Sequence, residues 1–321
     1  MSIHSNQPVV TILLPCYNVE QFLPHCLDSI IKQTYKNLQI VCMDDGSKDN
    51  TWHVLQNYVS KDARIEVYHQ DNQGVASARN NLLDKAKGDY VLFVDSDDWI
   101  EPDMVEFLVS KSLETGCRMV ACSMVVNDTA VETRTPNETI WEQPKLVCEF
   151  LRHVSFNGSL WNKLIDISLF HNVKFHCGIS YGEDALFIWE VIQSVEKILI
   201  TDKQLYHYRM NVGSISAQKW TPDKKGSGHL VWKKIVSDTK RLWPQFLDIA
   251  NARYATEDMW GLYFASLANY PYDEHIKERQ QNVRENLKLI RKNGLISKAK
   301  IVFAYAIAYC YPLGKLLKFT R

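Results

Sequence analysis

Residues 91–98 read V-L-F-V-D-S-D-D, an apolar run that ends in three carboxylates, Asp95, Asp97 and Asp98, within four positions. Carboxylates this close repel one another, so they must be solvated or bound to a cation. Hard divalent cations take carboxylate oxygens, and Mg²⁺ or Mn²⁺ is typically held by one or two carboxylates together with substrate phosphates. Alternation along an extended D-S-D segment would set Asp95 and Asp97 on one side of the backbone. A second acidic stretch, D-D-G-S-K-D at 44–49, brings Asp44 and Asp45, and P-C-Y-N at 15–18 is a third polar segment following an apolar run. Asp45 would accept hydrogen bonds from a base or ribose. Each stretch alone is compatible with an ordinary polar turn, but three strand ends of this kind in one sheet would gather five aspartates at one rim.

The elements that must position these residues are legible over the first 125 positions. VVTILL (9–14), LQIVCM (38–43), IEVY (65–68), YVLFV (90–94) and RMVACSMVV (118–126) are short apolar runs of the kind that form buried strands. Between them, helical spacing starts at Phe22, about Asn50 and about Val75, the last expected to run to Lys87, and Pro102 lies near another helix start. Strands alternating with helices imply a mostly parallel sheet covered on both faces, with ligands beyond the carboxyl ends of the strands. After 125 the pattern changes: TAVETRTPNETIW suggests a hairpin or loop, 145–215 mixes helix with short strands, and 217–321 is mainly helical, with an amphipathic stretch from Arg279 to Leu295.

Composition narrows the function classes. Lys+Arg and Asp+Glu both number 37 over 321 residues, so no global basic field recruits nucleic acid. The eight cysteines include no C-x-x-C pair, and several sit in apolar runs, which suits small core residues in a reducing compartment. The N-terminus lacks the pattern of a signal peptide, and the apolar stretch 301–313 is shorter than the roughly 20 residues that span a bilayer. A cytoplasmic location is expected, with one qualification: Lys298, Lys300, Lys315, Lys318 and Arg321 flank a run containing Tyr305, Tyr309 and Tyr311. Basic flanks with interfacial aromatics over 298–321 suit peripheral contact with the inner face of an anionic membrane. A buried final helix or a homo-oligomer contact is the competing reading.

The segments TILLPCYNVEQFLPHCLDSIIKQTYKNLQIVCMDDGSKDNT and DNQGVASARNNLLDKAKGDYVLFVDSDDW, followed by LWNKLID, GISYGEDALF and LYHYRMNVGSIS in that order, resemble family 2 glycosyltransferases. The resemblance implies an α/β GT-A fold, Rossmann-like with a mostly parallel central sheet, over residues 1–216, and a mainly helical C-terminal region over 217–321. It implies an inverting enzyme that moves a sugar from a nucleotide sugar, with UDP expected, to a hydroxyl of a glycan or lipid-linked acceptor in bacterial surface-polysaccharide synthesis. It further implies that Pro15, Tyr17, Asn18, Asp45, Arg79, Asp95, Ser96 and Arg209 bind the nucleotide sugar, and that Asp95, Asp97 and His207 bind Mn²⁺ or Mg²⁺. Asp97 ranks first as direct ligand. Glu183 and Asp184 match the acidic pair whose aspartate is the general base, and Tyr181, Phe187 and Trp189 would raise its pKa by enclosing it. Ser214 with Arg209 suits an anion, and Trp161 of the W-x-K stretch suits sugar stacking or core packing; Lys163 completes that stretch.

Two other classes compete. A nucleotidyltransferase would need a Gly-rich basic loop after the first strand, which PCYNVEQF lacks. A non-catalytic sugar-binding module on the same scaffold would have no need of an intact D-S-D and Glu183–Asp184.

Overall fold

The computed structural model describes residues 7–127, 129, 131, 134–153, 155–210, 220–221 and 225–316. The chain divides into two compact units. The first comprises 1–146, 159–177 and 190–212; the second comprises 147–158, 178–189 and 213–321. This division differs from a boundary at 216, because two short stretches from the middle of the chain, one carrying Glu183 and Asp184, join the helical unit.

The first unit is built on a sheet of β1 (Val10–Cys16), β2 (Leu38–Asp44), β3 (Ile65–His69), β4 (Tyr90–Phe93), β5 (Trp99–Ile100), β6 (Met119–Val126), β7 (Glu138–Glu142), β8 (Lys163–Asp166) and β9 (Lys197–Tyr208). The order is β3-β2-β1-β4-β8-β6-β9-β5, and β7 also pairs with β9. The run β3-β2-β1-β4 is parallel throughout. Beyond β4 the pairing is mixed: β8 is antiparallel to both neighbours, β6 and β9 run parallel, and β5 and β7 run antiparallel to β9.

The helices α1 (Leu23–Ile31), α2 (Thr51–Val59), α3 (Val75–Leu83) and α4 (Met104–Thr115) follow the first strands as their apolar spacing requires. Residues such as Leu23, Leu27, Ile30, Leu55, Met104 and Leu108 pack with Ile12, Leu14, Ile40 and Cys42 of the strands in one apolar core. α3 stops at Leu83, short of Lys87, because the chain must turn back: the Lys87 N–H donates to Gln39 Oε1 and the Gly88 N–H to Thr11 Oγ1. Residues 197–208, expected as part of a mixture of short strands, form one twelve-residue strand. Five of the cysteines are buried, whereas Cys177 and Cys310 are exposed.

Two helices straddle the division along the chain: α5 (Gln143–Arg152) starts in the first unit's residues and ends in the second's, and α6 (Glu183–Ile192) does the reverse. The second unit contains α7 (Gly228–Leu242), α8 (Leu247–Leu267), α9 (Glu274–Asn293) and α10 (Lys298–Tyr309). α9 starts at Asp273, whose side chain accepts from the Ile276 N–H, and ends at Gly294 in the left-handed region. Its core joins Met259, Trp260, Tyr263, Val283, Ile290, Phe303 and Ile307. A buried polar network crosses it: Asp258 accepts from His229 Nδ1 at 2.8 Å, from Arg279 Nη1 at 2.8 Å and from Asn282 Nδ2 at 2.7 Å. Along α10, Phe303, Ala304, Ile307 and Ala308 turn inward while Val302, Tyr305 and Tyr309 are exposed. Among the described residues no helix is long and apolar enough to cross a membrane. Ser214, Lys318 and Arg321 lie outside the described residues.

Candidate active site

The carboxyl ends of β1, β2 and β4 lie side by side because these strands pair in register, Cys16 with Asp44 and Leu13 with Phe93. The chain leaving β4 does not stay extended. The Asp98 N–H donates to the Asp95 carbonyl at 3.0 Å, closing a four-residue turn. Strand alternation therefore does not set the directions of these side chains. The turn reaches the expected division by another route: Asp95 and Asp97 are half-exposed, whereas Ser96 and Asp98 are buried.

The buried pair anchors the turn. Ser96 Oγ donates to the Pro15 carbonyl at 2.9 Å, tying the turn to the end of β1. Asp98, 1% exposed, accepts from the Tyr206 hydroxyl at 2.6 Å and from the Arg209 N–H at 2.7 Å. Burial pushes the Asp98 carboxyl up to about 8; the Asp95 charge adds to the rise and Asp97 contributes less, while the bonds from Arg209 and Tyr206 act in the opposite sense. Desolvation, only partly opposed by those hydrogen bonds, thus favours the protonated form of Asp98 over the carboxylate.

Cations and aromatic rings frame it. Arg79 on α3, itself buried, places Nη2 3.4 Å from Asp95 Oδ1, and its guanidinium lies 5.6 Å from the Phe175 ring. Arg209 donates from Nε to the Asp97 carbonyl at 2.8 Å and covers the Trp99 ring at 4.6 Å. Trp99 is stacked between His25 and His207, each at 4.7 Å. His207 Nε2 lies 2.6 Å from Glu101 Oε1 and Nδ1 3.3 Å from the Asn127 carbonyl, so each ring nitrogen faces an acceptor.

Asp45 organises a loop. Its Oδ1 accepts from Gln70 Nε2 at 2.7 Å and the Gln73 N–H at 2.9 Å, and its Oδ2 accepts from the Gly74 N–H at 2.9 Å. Those three bonds shape the approach to α3 and so the placement of Arg79. Gly46 is required beside it: φ is +71°, and a Cβ there would meet the Asn72 nitrogen at 2.7 Å. Asp44 is fully buried and pairs with His69 Nδ1 at 2.8 Å. At the end of β1, Tyr17 is exposed, and Asn18 adopts φ 51° with its side chain accepting from the Lys48 N–H at 2.7 Å.

Trp161 stacks on Tyr206 at 4.5 Å and on Tyr208 at 5.9 Å, which is the packing alternative of the two expected for it. Lys163 is buried, its ammonium donating to the Ser159 carbonyl and Asn162 Oδ1.

In the second unit, Glu183 and Asp184 open α6, where the helix dipole favours carboxylates. Glu183 is buried and Asp184 half-exposed, with Asp184 Oδ1 accepting from the Ala185 N–H at 2.7 Å. Phe187 and Trp189 are fully buried, and Trp189 packs against Phe150 and Trp243.

Among the described residues no three His, Cys, Asp or Glu side chains come together as a complete metal site. Two half-exposed carboxylates on one turn are what a Mg²⁺ or Mn²⁺ ion shared with a diphosphate requires, so the donor set fits that ion. Sequence reasoning missed Tyr206, Trp99 and Gln70. Tyr206 lies 108 residues from Asp98, so no local spacing could signal the pair.

The family model "Glycosyl transferase family 2" matches residues 11–192. Glycosyltransferase GlyA of Streptococcus pneumoniae is 36% identical over 227 residues, 66% of this chain and 32% of GlyA. Uncharacterized glycosyltransferase EpsJ of Bacillus subtilis is 31% identical over 224 residues, 67% of this chain and 65% of EpsJ. The chain therefore spans about a third of GlyA and just under two thirds of EpsJ. In fold it is similar to S. aureus TarS 1–349 crystallised with UDP-GlcNAc, with a TM-score of 0.67 at 20% identity over 95% of this chain and 88% of that one. A parallel β3-β2-β1-β4 half-sheet ending in a D-S-D turn, matched from β1 to the end of α6, places the chain in glycosyl transferase family 2.

Proposed function

We propose that this protein is an inverting, divalent-metal-dependent glycosyltransferase that moves a hexosyl or N-acetylhexosaminyl group from a UDP-sugar to a hydroxyl of a glycan or lipid-linked acceptor, in bacterial surface-polysaccharide synthesis. The observation that carries the reading is the D-S-D turn, which buries Ser96 and Asp98 as anchors and leaves Asp95 and Asp97 at the surface beside Arg79. The UDP-GlcNAc bound by TarS supports a uridine donor.

In this reading Asp95 and Asp97 would hold Mn²⁺ or Mg²⁺, which when bound offsets the charge of the departing diphosphate. Arg79, fixed by the Asp45-organised loop, orients the donor from the α3 side. Tyr17, Asn18 and Pro15 form the floor at the end of β1, and Arg209 supports the turn from the Asp97 carbonyl. Asp184 takes the proton from the acceptor hydroxyl as its oxygen attacks the anomeric carbon. A single displacement assisted by one base inverts configuration. The exposed face of α10, with Val302, Tyr305 and Tyr309 near Lys298 and Lys315, supports peripheral attachment to an anionic membrane surface.

A screen of nucleotide sugars with and without Mn²⁺, scored by thermal shift and nucleotide release, tests the reading. The expected result is stabilisation and turnover with a UDP-sugar only when Mn²⁺ or Mg²⁺ is present. Indifference to every nucleotide would overturn it.

A further inference from the structure

The second unit contains a cavity of about 440 Å³ that the donor chemistry does not use. Its wall includes His153, Tyr181, Arg253, Glu257, Trp260 and Lys300, brought together from separate stretches of the chain. The lining is strongly polar for a space of this size, and its cationic members are held in place. Arg253 on α8 is ion-paired with Glu257 one turn further on, and its guanidinium lies 5.4 Å from the Trp232 ring. Lys300, in the first turn of α10, rests its ammonium 5.1 Å from the Trp260 ring. An aromatic face, and not a carboxylate, supports that charge. Glu257 offsets the Arg253 charge, so Lys300 gives the cavity its cationic character. A lysine point charge resting on an aromatic face, with a histidine ring in the same wall, is suited to the oxygens of a phosphate.

The cavity is also tied to the acidic pair. Tyr181 stands three residues before Asp184, a span of at most roughly 10 Å of chain. Its N–H donates to Ser227 Oγ at 2.9 Å, and Ser227 Oγ donates back to its carbonyl at 3.1 Å. Gly182, with φ +84°, makes the turn into α6. An acceptor that offers a hydroxyl to Asp184 thus brings its neighbouring groups toward this cavity.

We infer that the cavity is an acceptor subsite for a phosphate group carried by the acceptor, close to the sugar that is extended. The inference rests on the assignment of Asp184 as the base. Phosphate in this position would come either from a water-soluble glycosyl phosphate or from a lipid-borne phosphate, and the outward face of α10 beginning beyond Lys300 would lie against the lipid in the second case.

The test uses the full chain saturated with UDP and Mn²⁺, so that the donor site is already filled. Glucose 1-phosphate, inorganic pyrophosphate and glucose are titrated by calorimetry into wild type, Lys300→Met and His153→Gln. Flotation with phosphatidylcholine vesicles, with and without phosphatidic acid, forms the second arm. The expected result is binding of the phosphate compounds but not of glucose, weakened at least fivefold in Lys300→Met and also in His153→Gln, with UDP affinity unchanged. A gain only with phosphatidic acid vesicles, equally lost in Lys300→Met, assigns the lipid-borne source; binding of the free esters alone assigns the soluble one. Absence of phosphate binding in wild type, or equal binding in both variants, overturns the subsite. Failure of UDP to bind would instead overturn the donor reading, which this titration reports separately.

Discussion

The Tyr206 hydroxyl donates a 2.6 Å hydrogen bond to Asp98 Oδ2, and both side chains are buried. Tyr206 lies on β9 and Asp98 in the turn after β4, so the bond fixes the acidic turn to a strand on the far side of the sheet. The tyrosine also sits under the Asp95 backbone, whose N–H approaches its hydroxyl oxygen at 3.2 Å. One buried phenol thus organises a turn whose other two carboxylates are half-exposed.

This arrangement predicts a pH dependence of stability. The Asp98 carboxyl is raised to about 8 in the folded protein from an unfolded value of about 4. A raised pKa means that the folded state favours the protonated form. Its contribution is fully present below the unfolded value and is lost as pH rises through the folded one. With metal chelated, the midpoint of urea unfolding should fall between about pH 4 and pH 8, and Asp98→Asn should flatten that slope. Identical slopes in the two proteins would show that Asp98 is not the group responsible.

Asp97→Asn should remove the Mn²⁺-dependent part of UDP binding and lower transfer by about 100-fold or more, in line with losing one charge-stabilising element. Calorimetric titration of UDP at fixed Mn²⁺ reads the first effect. Asp95→Asn should also release Arg79 from its ion pair, so its donor affinity should fall as well. Unchanged Mn²⁺ dependence in both variants would move the metal away from this turn.

For Asp184→Asn, kcat should drop by about 10²- to 10⁴-fold while donor affinity is retained, the signature of a lost proton acceptor. Glu183→Gln should cost folding stability more than turnover, since Glu183 is buried. Equal turnover in Asp184→Asn and wild type would reassign the base.

The His229–Asp258–Arg279 network should be the costliest polar feature of the second unit to break. Asp258→Asn leaves the buried Arg279 guanidinium without its carboxylate, a loss of about 3–5 kcal/mol for a charge stranded in the interior. Chemical denaturation of the variant measures it, and a change below about 1 kcal/mol would mean that solvent reaches the network.

The outward face of α10 should govern association with anionic vesicles. Replacing Val302, Tyr305 and Tyr309 together by serine should reduce sedimentation with phosphatidylglycerol vesicles several-fold, because apolar area and basic charge act jointly at such surfaces. Thermal unfolding should be little altered, since the three side chains are exposed. Full vesicle binding by the triple variant would reject this face as the contact.

Much of the fold and part of the site can be read locally. The strands β1 to β4 announce themselves as apolar runs, and the polar residues after them mark the rim of the sheet. The turn at 95–98 cannot be read in this way, since its conformation depends on Tyr206 and Pro15. Alternation predicted the right exposed pair by the wrong geometry. The partners of His207, Glu101 and the Asn127 carbonyl, are both remote in sequence and equally hidden from local reading. The length of β9 was hidden because its burial alternates irregularly, with polar residues at 202–204 interrupting the apolar run.

By itself the sequence determined the alternation of strands and helices, the family, and the identities of the carboxylates after β2 and β4, since each is written in adjacent residues. Only the tertiary structure decided that Asp45 spends its oxygens on the 70–74 loop, that Asp98 is an anchor while Asp95 and Asp97 stay half-exposed, and that 178–189 belongs with the helical unit. The physical reason is common to all three. Whether a carboxylate is buried, bonded or open is set by donors that arrive from distant parts of the chain, and no local pattern encodes them.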